Sequence, residues 1–385
     1  CQIYTLRALE LTEVIVIGGG IAGCSTAYFL ARDGIEVTLL EQFELGSLAS
    51  GTNAGSLHAQ IQPEPFLEFG KPWARRFLPA VALYKGSMAI WKDIEAELGE
   101  DLGVAIHGGI VVAASDEQMR VLEQKAALDR AGGLDIDLLN GSDLRDVAPY
   151  LAPTIVGGAL CPTEGKASPL AATRAFAGAA RVCGATILEH HVVTAIRRTR
   201  SGYEVDSGDK TLSASRVVNA AGNEAASIAA LVGGRMHLES FPIQLGVTEP
   251  LAPLIGHLLY SAGSRLTLKQ TREGTVLIGG GWPAALDGKR RPRVDLQSLH
   301  SNLEVALDVV PALAGAGIVR TWAANVNGND SWLPVIGEVP GSPGFFMNYV
   351  PWMGFSGAPM ASRIVAGMVQ ERGPEVDFPV DAFAP

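Results

Sequence analysis

The sequence predicts an α/β fold with two sheets, one parallel and a second, antiparallel one. Three observations predict it. A β-branched run at residues 14–17 enters a glycine-spaced turn and an apolar helix pattern. A second strand pattern ending in a carboxylate follows within the length of one strand–helix–strand unit. Far downstream, alternating apolar runs recur at residues 104–115 and 274–282, as expected for strands of an antiparallel sheet with one covered face.

Bulk composition narrows the function classes. The chain has 385 residues, 48% hydrophobic and 18% charged, which is enough apolar material for a large core or two coupled domains. Its formal charge of −10 argues against nucleic acid or an anionic membrane surface as the main partner. No apolar stretch reaches the roughly 20 residues of a transmembrane helix, and no internal repeat is evident. The short basic cluster Lys289, Arg290, Arg291 and Arg293 reads as a solvated loop. Cys1, Cys24, Cys161 and Cys183 form neither a CxxC nor a metal-ligand spacing, so no metal site is expected and a cytoplasmic location is the default. The sequence begins at Cys1 rather than Met, from which an upstream segment is expected.

The first element is the strand at residues 14–17, whose unbroken apolar run suits burial on both faces. Gly18, Gly20 and Gly23 follow at GxGxxG spacing. Alone that spacing is weak in a glycine-rich chain, and a glycine turn with no ligand remains its competing reading. The context strengthens it: a helix is expected from about Ile21 to Arg32, stopping near Gly34, and then a strand over Val37–Leu40 ending in Glu41. In such a Rossmann-like unit Gly18 allows the tight turn, Gly20 admits the pyrophosphate and Gly23 lets helix and strand close. The free N–H groups of the helix start favour phosphate. Glu41 can accept from both ribose hydroxyls and would repel a 2′-phosphate.

Residues 46–60, GSLASGTNAGSLHAQ, form a small-residue and hydroxyl-rich loop. It suits a stretch running beside a pyrophosphate and ribityl chain, and equally a plain surface loop. A helix is expected over residues 116–131. Residues 216–219 read as a strand running into the turn Ala220-Ala221-Gly222. Residues 331–369 read as turn, strand, glycine-rich turn and a helix from near Gly357, with Ile364, Val365, Met368 and Val369 on one face.

Taken together, the fingerprint through Glu41, Asn53-Ala54-Gly55, VVNAAG at 217–222 and LPVIG at 333–337 resemble the FAD-dependent amino-acid and amine oxidoreductases of the D-amino-acid oxidase family. The resemblance spans about residues 13–369, and its look is glycine- and sarcosine-oxidase-like. NAGSLH and residues 267–282 are most similar to the flavin (beta) subunits of opine oxidases and heteromeric amino-acid dehydrogenases.

The resemblance implies a discontinuous layout, with an FAD-binding domain at 11–84, 146–225 and 320–378 and a substrate-binding domain at 85–145 and 226–319. It implies that Gly18, Gly20, Ile21, Ala22, Gly23, Glu41 and Gln42 hold the ADP half. Ser50, Asn53, Ala54 and Gly55 would follow the pyrophosphate and flavin, Val193 would meet adenine through its backbone, and Ala221 and Gly222 would close the far wall. Gly354, Phe355, Ser356 and Gly357 would lie against the pyrimidine edge of the flavin, where a helix start stabilises negative charge.

The implied reaction is oxidation of a C–N bond in an amino acid or an N-substituted, opine-like amino acid, with hydride passing to flavin N5 and hydrolysis of the imine. No acid–base dyad is needed if the amine arrives neutral. Some members attach the flavin through Cys or His, but here the C-terminal third lacks Cys and Ser168 stands at the histidine position, so non-covalent FAD is expected.

The arginine that clamps a substrate carboxylate in glycine-oxidase-like members is replaced by Val326, between Asn325 and Asn327. Candidate pocket residues are Arg265 and Lys269, which alternation would put on one side of a strand, with Arg272, Asn327 and Trp352. Solvated charges on a sheet rim and a simple turn are the competing readings of these residues. Trp282 and Trp322 are further candidate walls, and His58 can either approach the ring or pack behind the loop. His190 and His191 read as structural, and Cys24 as a small packed hydrophobe. Two other functions remain open: a partner-dependent flavin subunit relaying electrons in a hetero-oligomer, and an NAD-dependent dehydrogenase.

Overall fold

The computed structural model describes residues 9–373 and 376–385. Cys1, from which the upstream segment is expected, lies outside the described residues, as do positions 374 and 375 within the expected 320–378 segment.

The first sheet is built around Leu9–Ile17, which pairs in parallel with Lys210–Asn219 on one side and Val37–Leu40 on the other. Thr186–Leu188 extends the parallel array beyond Val37–Leu40, and Phe345–Tyr349 extends it beyond Lys210–Asn219. Val335–Glu338 closes that edge in antiparallel fashion. The apolar run is buried on both faces because alternate side chains enter different cores. Val14 and Val16 join the helix-covered cluster, whereas Ile15 and Ile17 join the opposite one with Tyr203, Val205 and Phe345.

Ile21–Arg32 and Val37–Leu40 occupy the expected bounds. The first helix packs against Pro169–Val182 and Gly354–Val369. The C-terminal helix starts at Gly354, three residues earlier than the pattern suggests, directly after Trp352, whose φ is positive, and Met353.

The second sheet runs in the order Ile318–Gly328, Glu239–Thr248, Val276–Gly279, Thr267–Gln270, Leu258–Ser261, Gly109–Ala113, Gly157–Cys161, Asp137–Asn140. It is mixed rather than purely antiparallel. Gly109–Ala113 and Leu258–Ser261 pair in parallel. The two strands lie far apart in sequence, so no hairpin forces them to oppose. Two of its strands, Gly157–Cys161 and Ile318–Gly328, fall largely within segments expected to serve the first domain. The helix Asp116–Ala131 covers one face, capped at its start by the Ser115 hydroxyl. A 36-residue helical segment, Pro63–Leu98, bends at Gly70 and packs on both the C-terminal helix and Asp116–Ala131, joining the two halves. Among the described residues no helix is long and apolar enough to cross a membrane.

Candidate active site

A cleft of about 1440 Å³ opens at the carboxyl ends of the first sheet's strands and continues to the second sheet. Pockets for drug-sized ligands run to about 1,000 Å³, so this one has room for a larger group and a substrate together. Its position beyond the carboxyl ends of parallel strands is where α/β sheets bind ligands.

At one end Gly18, Gly20, Ile21 and Ala22 line the wall. Gly18 has φ +107°, and a Cβ there would lie 2.5 Å from the Ala220 carbonyl oxygen, so glycine lets the strand end at Ala220 close in. Gly23 does not reach the cleft; its Cβ would sit 1.8 Å from the Gly18 oxygen, which makes it the contact between helix and turn. Glu41 is buried, with one carboxylate oxygen accepting from the Gly19 N–H (2.6 Å) and the other from the Phe43 N–H (2.7 Å). Each oxygen keeps a lone pair, and Glu41 lines the cleft beside Gln42. His191 and Val193 form the opposite side there. His191 is also structural, its N–H donating to the Glu41 carbonyl at 2.7 Å.

Most side chains of the 46–60 loop hold the loop itself. The Ser50 hydroxyl accepts from the Ile21 N–H (2.9 Å), fastening the loop to the first helix. Asn53 donates to the Ser50 carbonyl (2.7 Å) and accepts from the Gly55 N–H (2.7 Å). Ser50, Asn53 and Ala54 line the cleft; Gly55 turns away, close to the Ala167 carbonyl. Ala221 and Gly222 face them across it.

The starts of the first and C-terminal helices meet this cavity, at Gly20–Ile21 and at Gly354–Ser356, and neither is capped by the side chain of its own N-cap residue. Four other helices are capped by Ser115, Asn140, Ser168 and Asp295. Apart from the Ile21 N–H, which the Ser50 hydroxyl takes, the first-turn N–H groups and the partial positive charge of a helix start are ready partners for phosphate or an electron-rich ring. The buried Tyr349 hydroxyl and Trp352 Nε1, both on residues lining the cleft, have no hydrogen-bond partner among the described residues. These donors, the glycine turn and Glu41 together fit FAD.

At that far end Gly354, Phe355 and Ser356 line the wall, whereas Gly357 faces Tyr84. Ser356 accepts from the His58 N–H (2.8 Å) and donates to the Ser56 carbonyl (3.1 Å). Trp352 stacks on Trp332 (4.6 Å between ring centroids), with Phe241 4.8 Å from Trp352. Both tryptophans hold positive φ, a conformation uncommon outside glycine. Asn325, Val326 and Asn327 lie along the same wall, and Asn327 accepts the Trp352 N–H at 2.9 Å through its carbonyl.

The candidate cations separate. Arg265 lines the cleft, but it precedes the strand Thr267–Gln270 and is exposed, paired with Glu64 and donating to the Gly281 carbonyl at 3.0 Å. Lys269 does not line the cleft. It is fully buried behind Ser56, with Nζ 2.6 Å from the Ser56 hydroxyl, so the expected alternation onto one face does not hold. Burial, reinforced by Lys166, lowers its pKa to about 7. Arg272 is exposed and paired with Asp101 at 2.7 Å. Of the other tryptophans, Trp322 ties the second sheet to the loop by donating to the Thr52 carbonyl (2.8 Å), and Trp282 donates to the Arg265 carbonyl (2.7 Å). Cys24 is packed in the core, where burial raises its thiol pKa. Sequence reasoning missed Phe241, Tyr260, Trp332 and Tyr349; only Trp332 had a local signal, beside the LPVIG motif.

The family model for FAD dependent oxidoreductases, DAO, matches residues 13–368. The chain belongs to this family. It is an FAD-dependent oxidoreductase, which sets aside the NAD-dependent dehydrogenase alternative. Glycine oxidase of Geobacillus kaustophilus (strain HTA426) is 26% identical over 374 residues, covering 95% of each chain. One of the subunits of opine oxidase from Rhizobium meliloti is 28% identical over 348 residues, covering 87% of each. The crystal structure of glycine oxidase from Geobacillus kaustophilus superposes with a TM-score of 0.85 at 25% identity, covering 97% of this chain and 98% of that one.

Proposed function

We propose that the protein oxidises the C–N bond of an amino acid, and specifically of an N-substituted, opine-like one, using non-covalent FAD. The observation that carries this reading is one continuous cleft joining the glycine turn to an aromatic wall beside a second uncapped helix start. Bound there, FAD supplies the hydride acceptor for the carbon beside the substrate nitrogen. The protein's part is to bind, orient and keep water out. Trp332, Trp352 and Phe241 offer an apolar face to an N-substituent. Arg265 is the guanidinium on the wall among the described residues, and Glu64 already shares it. A carboxylate can therefore be held only toward the rim, which favours a longer amino acid over glycine. None of the cysteines at 24, 161 and 183 lines the cleft, so none of these thiols stands where it could link a flavin.

The opine oxidase relative is, by its name, one part of a multi-subunit assembly. A partner-dependent role, within a hetero-oligomer, is the second reading, supported here by the loss of the carboxylate clamp at Val326. A visible spectrum of the purified protein, followed by anaerobic addition of opines, sarcosine, proline and D-amino acids, tests both. Bleaching by an N-substituted amino acid is expected. A yellow protein that no amine bleaches would move the assignment to the partner-dependent role.

A further inference from the structure

We propose that His58, Tyr260 and Glu164 form a proton relay that carries the ammonium proton of the incoming amine from the cleft into the protein interior. The inference rests on the amine-oxidising reading above.

His58 and Tyr260 line the cleft; Glu164 lies behind them with no exposed surface. The His58 Nδ1 is 2.6 Å from the Tyr260 hydroxyl, and that hydroxyl is 2.9 Å from Glu164 Oε2. The other partners of Glu164 are all donors: the Ala59 N–H (2.6 Å) and Gln60 N–H (2.9 Å) to Oε1, and Gln60 Nε2 (2.8 Å) to Oε2. With Glu164 ionised at rest, as the relay requires, the carboxylate only accepts and the Tyr260 hydroxyl spends its one hydrogen on it. The tyrosine oxygen must then accept from His58, which puts the imidazole proton on Nδ1. Nε2 is left as a bare acceptor, with no protein partner among the described residues. The Ser356 bond to the His58 N–H holds the backbone of that ring in place.

The opposite hydrogen-bond direction along the same three groups is equally satisfied once Glu164 is protonated. Nε2 takes the proton of the substrate ammonium, Nδ1 passes its proton to the Tyr260 oxygen, and Tyr260 passes its hydroxyl proton to Glu164. One N–H bond of the substrate breaks and one O–H bond forms on Glu164. His58 and Tyr260 are neutral before and after, the imidazole having changed tautomer, and no electrons move. The substrate nitrogen keeps its lone pair free for loss of hydride from the adjacent carbon.

The surroundings favour transfer over storage at the two intermediate groups. Burial, with Lys269 nearby, lowers the His58 pKa to about 3, which disfavours imidazolium. Burial and Glu164 push the Tyr260 hydroxyl well above its ordinary value, with Cys161 adding to this and Gln62 opposing it. Burial raises Glu164 toward holding a proton, against its hydrogen bonds and the Lys125 ammonium. Lys125 is itself paired with Asp129 at 2.8 Å and bonded to Gln60 Oε1 at 2.7 Å, so its charge is largely spoken for.

The test is anaerobic flavin reduction in the holoenzyme as a function of pH for wild type, Tyr260→Phe and Glu164→Gln. With the relay broken, reduction at neutral pH should slow by about 100-fold, within the usual range for a positioned proton acceptor. The wild-type to variant ratio should then shrink as pH approaches the amine's own pKa, by up to about tenfold per unit. A ratio that does not change with pH would mean a merely structural role and overturn the relay. Nitrogen-15 NMR of the histidine rings supplies a readout independent of turnover: His58 should be the neutral Nδ1–H tautomer from pH 5 to 9. An Nε2–H tautomer, or protonation near pH 6.5, would also overturn it. A wild-type flavin that no amine reduces overturns the oxidation reading and the relay with it. A pH-independent ratio in an active enzyme overturns the relay alone.

Discussion

Lys269→Met should stabilise the protein more at pH 6 than at pH 9, and the size of that difference follows from where the lysine sits. Lys269 is fully buried, with Ser56 as its hydrogen-bond partner, and burial lowers its pKa from 10.5 to about 7. Between these values the unfolded chain holds a proton that the folded protein does not. Stability therefore rises with pH across that window, and the cost of the buried ammonium is complete below pH 7. Each pH unit within the window changes stability by about 1.36 kcal/mol. From pH 6 to pH 9 two units of the window are crossed, giving roughly 2.7 kcal/mol. Methionine fills similar volume without a charge, so the variant lacks this slope. Urea unfolding of wild type and variant at the two pH values measures it. A stability difference that is the same at pH 6 and pH 9 would refute the buried, low-pKa lysine.

Three further substitutions test the frame around the site. Glu41→Ala removes the acceptor of the Gly19 and Phe43 N–H groups as well as the proposed acceptor of the ribose hydroxyls; FAD affinity measured by fluorescence titration should fall by about 10- to 100-fold, since hydrogen bonds to charged groups are worth roughly 1.5–3 kcal/mol. Gly23→Ala places a methyl group 1.8 Å from a backbone oxygen that cannot move aside, and about 1–3 kcal/mol of stability should be lost together with bound flavin, read by thermal unfolding and the visible spectrum. Lys125→Met leaves Asp129 charged and unpaired in the core, which should cost about 3–5 kcal/mol in chemical unfolding; an unchanged midpoint would mean that Asp129 takes up a proton instead.

What was legible in the sequence was whatever rests on local periodicity. The Ile21–Arg32 helix, the Val37–Leu40 strand and the Asp116–Ala131 helix all stand at their expected bounds, because each has a continuous local pattern and a sharp end: Gly34 after the first helix, Glu36 and Glu41 around the strand, Ser115 and Gly132 around the other helix. The Pro63–Leu98 helix was not legible. Pro72, Pro79 and Gly70 interrupt its pattern, and the structure absorbs them by a bend at Gly70 and by burial of Trp73, Phe77, Tyr84 and Trp91. Lys269 shows the same limit within one side chain: alternation gives a face of the strand but not what covers that face, and here Ser56 does. His58, Glu164 and Tyr260 come from three segments about a hundred residues apart, so no spacing announces them.

Ser356 shows why the aromatic end of the cleft was harder to read than the glycine-turn end. The expectation makes it a flavin neighbour, and it does line the cleft, yet its polar groups are committed elsewhere. Its hydroxyl bridges the His58 N–H and the Ser56 carbonyl, and its carbonyl accepts from the Ser87 hydroxyl (2.6 Å) and Trp91 Nε1 (3.0 Å). Three segments remote in sequence, the 56–58 strand end, the long helix and the C-terminal helix start, are thereby held to one residue. At the glycine-turn end, the turn and first helix build most of the wall from contiguous chain, and a motif can report it. At the far end, the wall exists only because buried hydrogen bonds hold separate segments in register. Ser356→Ala should therefore loosen His58 and the helix start together, lowering flavin content and shifting the His58 ring resonances in the same variant. A loss of flavin with unshifted His58 resonances would mean that Ser356 acts on the cofactor directly, and that the register is held by other contacts.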